Sequence, residues 1–81
     1  MSPEEINFLV SKLNSIVTAV RFQNSGADVH IIGNIRHTAG LLMDVLLNDP
    51  NSISLEFAQQ ITSNTEEKLV EFYRNKYIRG Y

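Results

Sequence analysis

The sequence has no cysteine and no tryptophan, and it holds two prolines and four glycines among its 81 residues. Without cysteine the chain forms neither a disulfide framework nor a thiolate metal site. The same absence favours a reducing compartment, so we expect a cytoplasmic protein. The longest run of large apolar residues is three residues long, whereas a membrane-spanning helix needs about 20. We therefore expect no membrane insertion.

An excess of positive charge is also missing, because the formal net charge is −2 at pH 7. Proteins that bind the phosphate backbone of nucleic acids generally carry a clear excess of lysine and arginine. The carboxy-terminal stretch YRNKYIRGY does contain three basic residues. They fall in the last turns of a predicted helix, where cations complement the helix dipole. We therefore expect no nucleic-acid partner.

Apolar residues recur at the spacing of an amphipathic helix in the first quarter of the chain. The stretch Ser2-Pro3-Glu4-Glu5 is typical of a helix start, with serine as the N-cap and Glu5 closing a capping box. The pattern that follows predicts a helix over about residues 3–22. Its apolar stripe consists of Ile6, Val10, Leu13, Val17 and Val20, widened by Leu9 and Ile16.

Two polar breaks separate this helix from two further ones. QNSGAD is the first break, and Ser25 within it begins a second capping-box pattern. The next stripe predicts a helix that ends at about residue 48. NDPNS is the second break, where Asn51 or Ser52 is a candidate N-cap for a third helix over about residues 53–79. The second stripe consists of Ile32, Ile35, Ala39, Leu42 and Leu46, and the third of Ala58, Ile61, Thr65, Leu69 and Phe72.

The third helix has a weak point at Thr62-Ser63-Asn64-Thr65, where short polar side chains compete for backbone hydrogen bonds. A break near Ser63 would give four helices, but we favour one continuous helix. Three helices joined by short loops predict an all-α protein, an antiparallel up-down-up three-helix bundle. We expect residues 1–81 to form a single helical-bundle domain that is a module of a larger scaffold protein.

Some residues lie outside the predicted core, and these are the candidates for partner binding. Helix 1 carries two phenylalanines away from its apolar stripe, with small residues between them. Helix 2 carries a leucine within a polar stripe, and two arginines are candidate charge partners for an acidic helical ligand. The predicted partner-binding residues are Phe8, Ser15, Arg21, Phe22, Arg36, His37, Leu41 and Asp44.

Two glycines, Gly33 and Gly40, lie seven residues apart on one side of helix 2. Inside a helix each costs ~1 kcal/mol relative to alanine. Their spacing therefore favours a close approach by another helix.

The sequence offers little catalytic chemistry. His30 and His37 are seven residues apart, which places them ~10 Å apart along a helix axis and too far apart to share a metal ion. We predict no metal site, no cofactor and no enzymatic activity. The alternative hypothesis is a histidine phosphotransfer domain that uses His37, although Ala39 stands where that family has a lysine.

The stretch from Leu13 to Asp49 contains the helix IVTAVR, a short polar loop, and a long helix with I-x-x-I and A-x-x-L-L steps. This pattern resembles the focal-adhesion-targeting-like helical bundles, which include domains of receptor-kinase-interacting adaptors, and the related vinculin/talin-type domain of fungal polarisome scaffolds. The resemblance covers under half of the chain. It implies a scaffold or adaptor that holds amphipathic helices of partner proteins in cell polarity or cytoskeletal organisation. Bundles of that class have four helices, whereas this sequence predicts three.

These observations favour a non-catalytic protein-interaction domain. We expect it to bind an amphipathic helix of a partner protein, or a second copy of itself, in a groove between two helices.

Overall fold

A computed structural model describes residues 1–21 and 28–77. They form three α-helices: α1 (Pro3–Val20), α2 (Val29–Asn48) and α3 (Leu55–Tyr77). A short 3-10 turn, Pro50–Ser52, lies between α2 and α3, and the described residues contain no strand. The prediction of an all-α three-helix bundle is confirmed.

The start of α1 follows the predicted capping box. The Ser2 Oγ accepts a hydrogen bond of 3.2 Å from the Glu5 N–H, and the Glu5 Oε1 accepts one of 2.7 Å from the Ser2 N–H. The hydrogen bonds with Ser2 hold the pKa of the Glu5 carboxyl below its usual value. At the other end α1 stops at Val20. Phe22 and the second capping box at Ser25 lie outside the described residues.

The predicted N-cap of α3 is wrong. Asn51 and Ser52 belong to the 3-10 turn, where the Ser52 hydroxyl donates a 2.8 Å hydrogen bond to the Asp49 carbonyl. The hydroxyl of Ser54 caps the helix instead, accepting from the Phe57 N–H at 3.1 Å. The turn uses the earlier serine, so α3 begins at Leu55, two residues later than predicted.

The helix α3 continues without a break through its run of short polar side chains. The Thr62 Oγ1 donates to the Ala58 carbonyl at 2.8 Å, and the Thr65 Oγ1 donates to the Ile61 carbonyl at 2.7 Å. Both threonines are buried. Their hydroxyls find partners on the helix's own carbonyls, so a polar stretch is accommodated in the core without a fourth helix.

The core consists of two clusters of buried residues, one towards each end of the bundle. One lies beside the turn between α2 and α3, which we call the turn end. The other lies where α1 ends and α2 begins, which we call the loop end. Early residues of α1 pack with late residues of α2 and early residues of α3, so α2 runs antiparallel to both neighbours. The buried residues of the turn end are Leu9, Leu13, Ala39, Leu42, Leu46 and Ala58. Those of the loop end are Ile16, Val20, Ile32, Ile35 and Phe72.

Polar contacts join the helices at the loop end. The Tyr73 hydroxyl donates to the Ala19 carbonyl, which connects α3 to the last turn of α1. The Lys76 ammonium lies 3.7 Å from the Asp28 carboxylate before α2. The Tyr73 ring also contacts the rings of Phe72 and Tyr77, at centroid distances of 5.2 and 5.5 Å. The hydrogen bond and the ion pair fix α3 against both other helices, whereas the ring contacts lie within α3.

In the described part of the chain, no helix is long and apolar enough to cross a membrane.

Candidate partner-binding groove

Exposed apolar side chains line a groove between α2 and α3 at the turn end. Leu41 on α2 is 55% exposed and Phe57 on α3 is 53% exposed. The groove has a volume of about 220 Å³. It is lined by Thr38, Leu41, Leu42, Val45, Ile53, Phe57 and Ile61.

The two walls of the groove follow from helical spacing. On α2, Thr38, Leu41 and Val45 lie three and four residues apart, which places them on one side of the helix. On the other wall, Phe57 and Ile61 lie four residues apart on α3, and Ile53 contributes from the extended stretch before the helix. The α2 wall extends over seven residues, ~10 Å or about two helical turns. The groove therefore matches the length of a short amphipathic helix.

The position of the core explains why the groove stays open. Leu41 precedes the buried Leu42, and Phe57 precedes the buried Ala58. Successive residues on a helix point about 100° apart. When one residue faces the core, the residue before it therefore points to the edge of the contact between α2 and α3.

The predicted rim residues His37 and Asp44 are exposed on α2. They lie four residues before Leu41 and three after it, which places all three on one side of the helix. Asn48 approaches Asp44 from the next turn, where its Nδ2 donates to the Asp44 carbonyl at 3.0 Å and lies 3.5 Å from the carboxylate Oδ1. One edge of the groove therefore carries a hydrogen-bond donor and an acidic group on either side of an apolar anchor.

The predicted residues of helix 1 lie on a different surface. Phe8, which is 66% exposed, borders a shallow cavity of about 200 Å³ that includes Leu55 and Gln59 of α3. The Lys12 ammonium lies 5.7 Å from the Phe8 ring centroid and 3.5 Å from the Glu66 carboxylate. A charge pair thus crosses the seam between α1 and α3 beside Phe8. This seam lies on the side of α3 opposite the groove.

The remaining predicted residues do not line the groove. Ser15 is exposed on α1, and Phe22 lies outside the described residues. Arg21 is exposed at the end of α1. The Arg36 Nη2 donates hydrogen bonds of 3.2 Å to the carbonyls of Val20 and Arg21. Its guanidinium therefore satisfies the carbonyl end of α1.

Sequence reasoning missed Phe57, the largest apolar side chain of the groove. The sequence does contain an apolar pattern that includes Phe57, because this residue stands four residues after Ile53 and four before Ile61. That pattern alone does not distinguish a core residue from a surface one. The exposure of Phe57 depends on how α3 lies against α2, which is a property of the assembled bundle.

A second cavity between α2 and α3, at the loop end, is more polar. It has a volume of about 390 Å³ and includes His30, Asn34, Lys68 and Glu71. The Lys68 ammonium donates to the Asn34 Oδ1 at 3.2 Å across its opening. Among the described residues, no three His, Asp or Glu side chains come together in a group that would hold a metal ion.

Comparison of the chain with models of protein families, with curated proteins and with solved structures finds no match. The groove and its neighbourhood are therefore the basis for the functional proposal.

Proposed function

We propose that the domain is a non-catalytic interaction module that captures an amphipathic helix of a partner protein in the groove between α2 and α3. The observation that carries this proposal is the pair Leu41 and Phe57, two large apolar side chains, both more than half exposed, on facing walls of one groove. A solvent-exposed apolar groove bounded by two helices is the usual receptor for a helix with anchors at i, i+3 or i+4, and i+7.

The groove offers a modest affinity. Full burial of a leucine or phenylalanine side chain contributes ~1.5–3 kcal/mol. About half of each anchor is already covered, so a partner helix gains roughly half of that from each side chain. We therefore expect weak, reversible binding, as suits an adaptor that exchanges partners.

The rim of the groove favours a ligand with mixed charge. Asp44 would pair with a lysine or arginine of the captured helix, and the His37 ring would donate to a carboxylate or a backbone carbonyl. Rim contacts of this kind contribute register and specificity more than affinity.

The wider role that we propose is that of a scaffold or adaptor in cell polarity or cytoskeletal organisation, acting in the cytoplasm. The pattern of residues 13–49 supports this role through its resemblance to adaptor and polarisome bundles. The lack of cysteine agrees with a reducing compartment.

A display library of helix-forming peptides with apolar residues at i, i+4 and i+7 tests the capture. Selected peptides are measured by fluorescence anisotropy against the wild-type chain, Leu41→Asp and Phe57→Asp. We expect each substitution to weaken binding at least about tenfold, equivalent to ~1.4 kcal/mol, because a carboxylate would be buried against an apolar helix face. The matched control is Phe8→Asp on the opposite side of α3, which should bind like the wild type.

Two results would contradict the proposal. Peptides that bind Leu41→Asp as tightly as the wild type would exclude the groove as their site. Unfolding of Leu41→Asp, followed by far-ultraviolet circular dichroism, would show that Leu41 is a structural residue.

A further inference from the structure

The outward face of α2 carries complementary polar groups and an exposed leucine in a seven-residue repeat. His37 and Asp44 are seven residues apart. Gly33, Gly40 and Leu47 also follow one another at intervals of seven residues. At 3.6 residues per turn all five lie on one side of the helix. Each is exposed except Gly40, which is half-buried. This face adjoins the groove, because His37 and Asp44 also form its rim, whereas the opposite wall of the groove, with Phe57, belongs to α3.

The polar groups of this face have little to bind within the described chain. The Asp44 carboxylate there accepts one long bond, of 3.5 Å, from the Asn48 Nδ2. The described residues provide no hydrogen-bond partner for the His37 ring. Seven residues on a helix correspond to ~10 Å along its axis, so His37 and Asp44 cannot pair with each other within one molecule.

The face also has room for another backbone. A Cβ built at Gly33 or Gly40 would meet no atom within 4 Å, leaving aside the adjacent backbone of α2 itself. Glycine is among the least favourable residues inside a helix, and the packing of the described chain gives no reason for either one. Beside them Leu47 is 62% exposed.

We propose that α2 packs antiparallel against the α2 of a second copy of this chain, about a two-fold axis near Gly40. His37 lies three residues before Gly40 and Asp44 four residues after it. An antiparallel pairing therefore places His37 of each copy beside Asp44 of the partner subunit. Leu47 of each copy lies against Gly33 of the partner subunit, where the missing side chain leaves space for it.

The charge pattern identifies the occupant as a second copy. A two-fold interface needs a face that is complementary to itself, and here donor and acceptor lie on the same face at nearly equal distances from its centre. One axis near Gly40 accounts for both pairs of contacts, His37 with Asp44 of the partner subunit and Leu47 with Gly33 of the partner subunit. This dimer uses His37 and Asp44 of the groove rim but leaves the α3 wall with Phe57 uncovered, so changes at Phe57 separate helix capture from self-association.

Sedimentation equilibrium over a range of protein concentrations tests the dimer. We expect the wild-type chain to dimerise and Gly40→Gln to raise the dissociation constant about tenfold or more, because its side chain fills the space of closest approach. His37→Asp should weaken the dimer similarly by placing two carboxylates together. The double variant His37→Asp/Asp44→Lys should restore it, since a carboxylate and an ammonium group then meet across the axis.

Phe57→Asp, on the α3 wall of the groove, is the matched control, and it should dimerise like the wild type while losing the groove peptides. A wild-type chain that stays monomeric at its highest soluble concentration would overturn the dimer and leave helix capture standing. Equal dimerisation of wild type and Gly40→Gln, or no recovery in the double variant, would also overturn it. If Gly40→Gln fails to fold by circular dichroism, the charge exchange alone decides.

Discussion

The two ends of the bundle are held together by different kinds of contact. At the loop end, directed polar contacts join all three helices: Arg36 and Tyr73 each donate to carbonyls of α1, and Lys76 pairs with the carboxylate preceding α2. At the turn end the core is built from leucine and alanine. There the seam between α2 and α3 is apolar and leaves Leu41 and Phe57 exposed.

This difference separates stability from binding. Hydrogen bonds and ion pairs have fixed geometry, so the loop end determines how α3 sits on the other two helices. Apolar contacts are not directional, so the turn end can accept an additional helix without breaking an existing bond. Substitutions at the loop end should therefore lower stability, and substitutions in the groove should change binding at nearly constant stability.

The largest effect is expected for Phe72→Ala. The Phe72 ring of α3 is buried at the loop end in one cluster with Ile32 and Ile35 of α2. Removing a buried phenylalanine ring costs ~3–5 kcal/mol. A domain of this size has a total stability of only ~4–12 kcal/mol. Urea denaturation followed by circular dichroism should show a midpoint far below that of the wild type.

Phe57→Ala is the matched substitution at the turn end. Because half of that ring is already exposed, its loss should lower the free energy of unfolding by about 1 kcal/mol or less. Equal losses from Phe57→Ala and Phe72→Ala would refute the contrast between the two ends, because Phe57 would then be part of the core.

An intermediate effect is expected for Tyr73→Phe. This change keeps the ring contacts and removes the hydroxyl that donates to the Ala19 carbonyl in the last turn of α1. A lost hydrogen bond of this kind lowers stability by ~0.5–1.5 kcal/mol. Thermal or urea unfolding measures the difference, and peptide binding in the groove should not change.

Tyr77→Phe is the control for that experiment, because the Tyr77 side chain is largely exposed. Its removal of a hydroxyl should leave the unfolding curve unchanged. A Tyr73→Phe variant as stable as the wild type would mean that the contact with α1 contributes nothing to fastening the loop end.

The number and order of the three helices could be predicted because the signals that define them are local. The Ser2–Glu5 capping box, the helix-breaking Pro50 and the apolar periodicity act within a few residues of each other. The same locality explains the α2 core, where every residue of the predicted stripe is buried. In α1 the buried line is Leu9, Leu13, Ile16 and Val20. Ile6, Val10 and Val17 of the predicted stripe are only half-buried and pack at the edge of the turn-end cluster.

The candidate site was only partly predictable, because it depends on contacts between distant residues. Leu41 was identified from its lack of a place in the core, but Phe57 was missed since its wall forms only when α3 packs beside α2. The N-cap of α3 was misplaced because the 3-10 turn engages Ser52 first. The apolar periodicity of α1 and α2 likewise does not show that Phe8 and Leu41 lie on opposite sides of α3.

The smallest effect is expected for the charge pair between Lys12 and Glu66, which lies between the two ends. The two groups are 3.5 Å apart, and each side chain is about two-fifths exposed. Exposed pairs of this kind contribute ~0.2–1 kcal/mol, and we expect the lower part of that range for Glu66→Gln. The loss should be measurable at an ionic strength of about 0.01 M and vanish at about 1 M, where charges are screened within ~3 Å. Glu67→Gln is the control, because the described part of the chain shows no ion pair for Glu67. A loss of stability in Glu66→Gln that persists at high salt would show that Glu66 supports the contact between α1 and α3 through packing. The part of the bundle in which substitutions lower stability would then extend from the loop end to the middle.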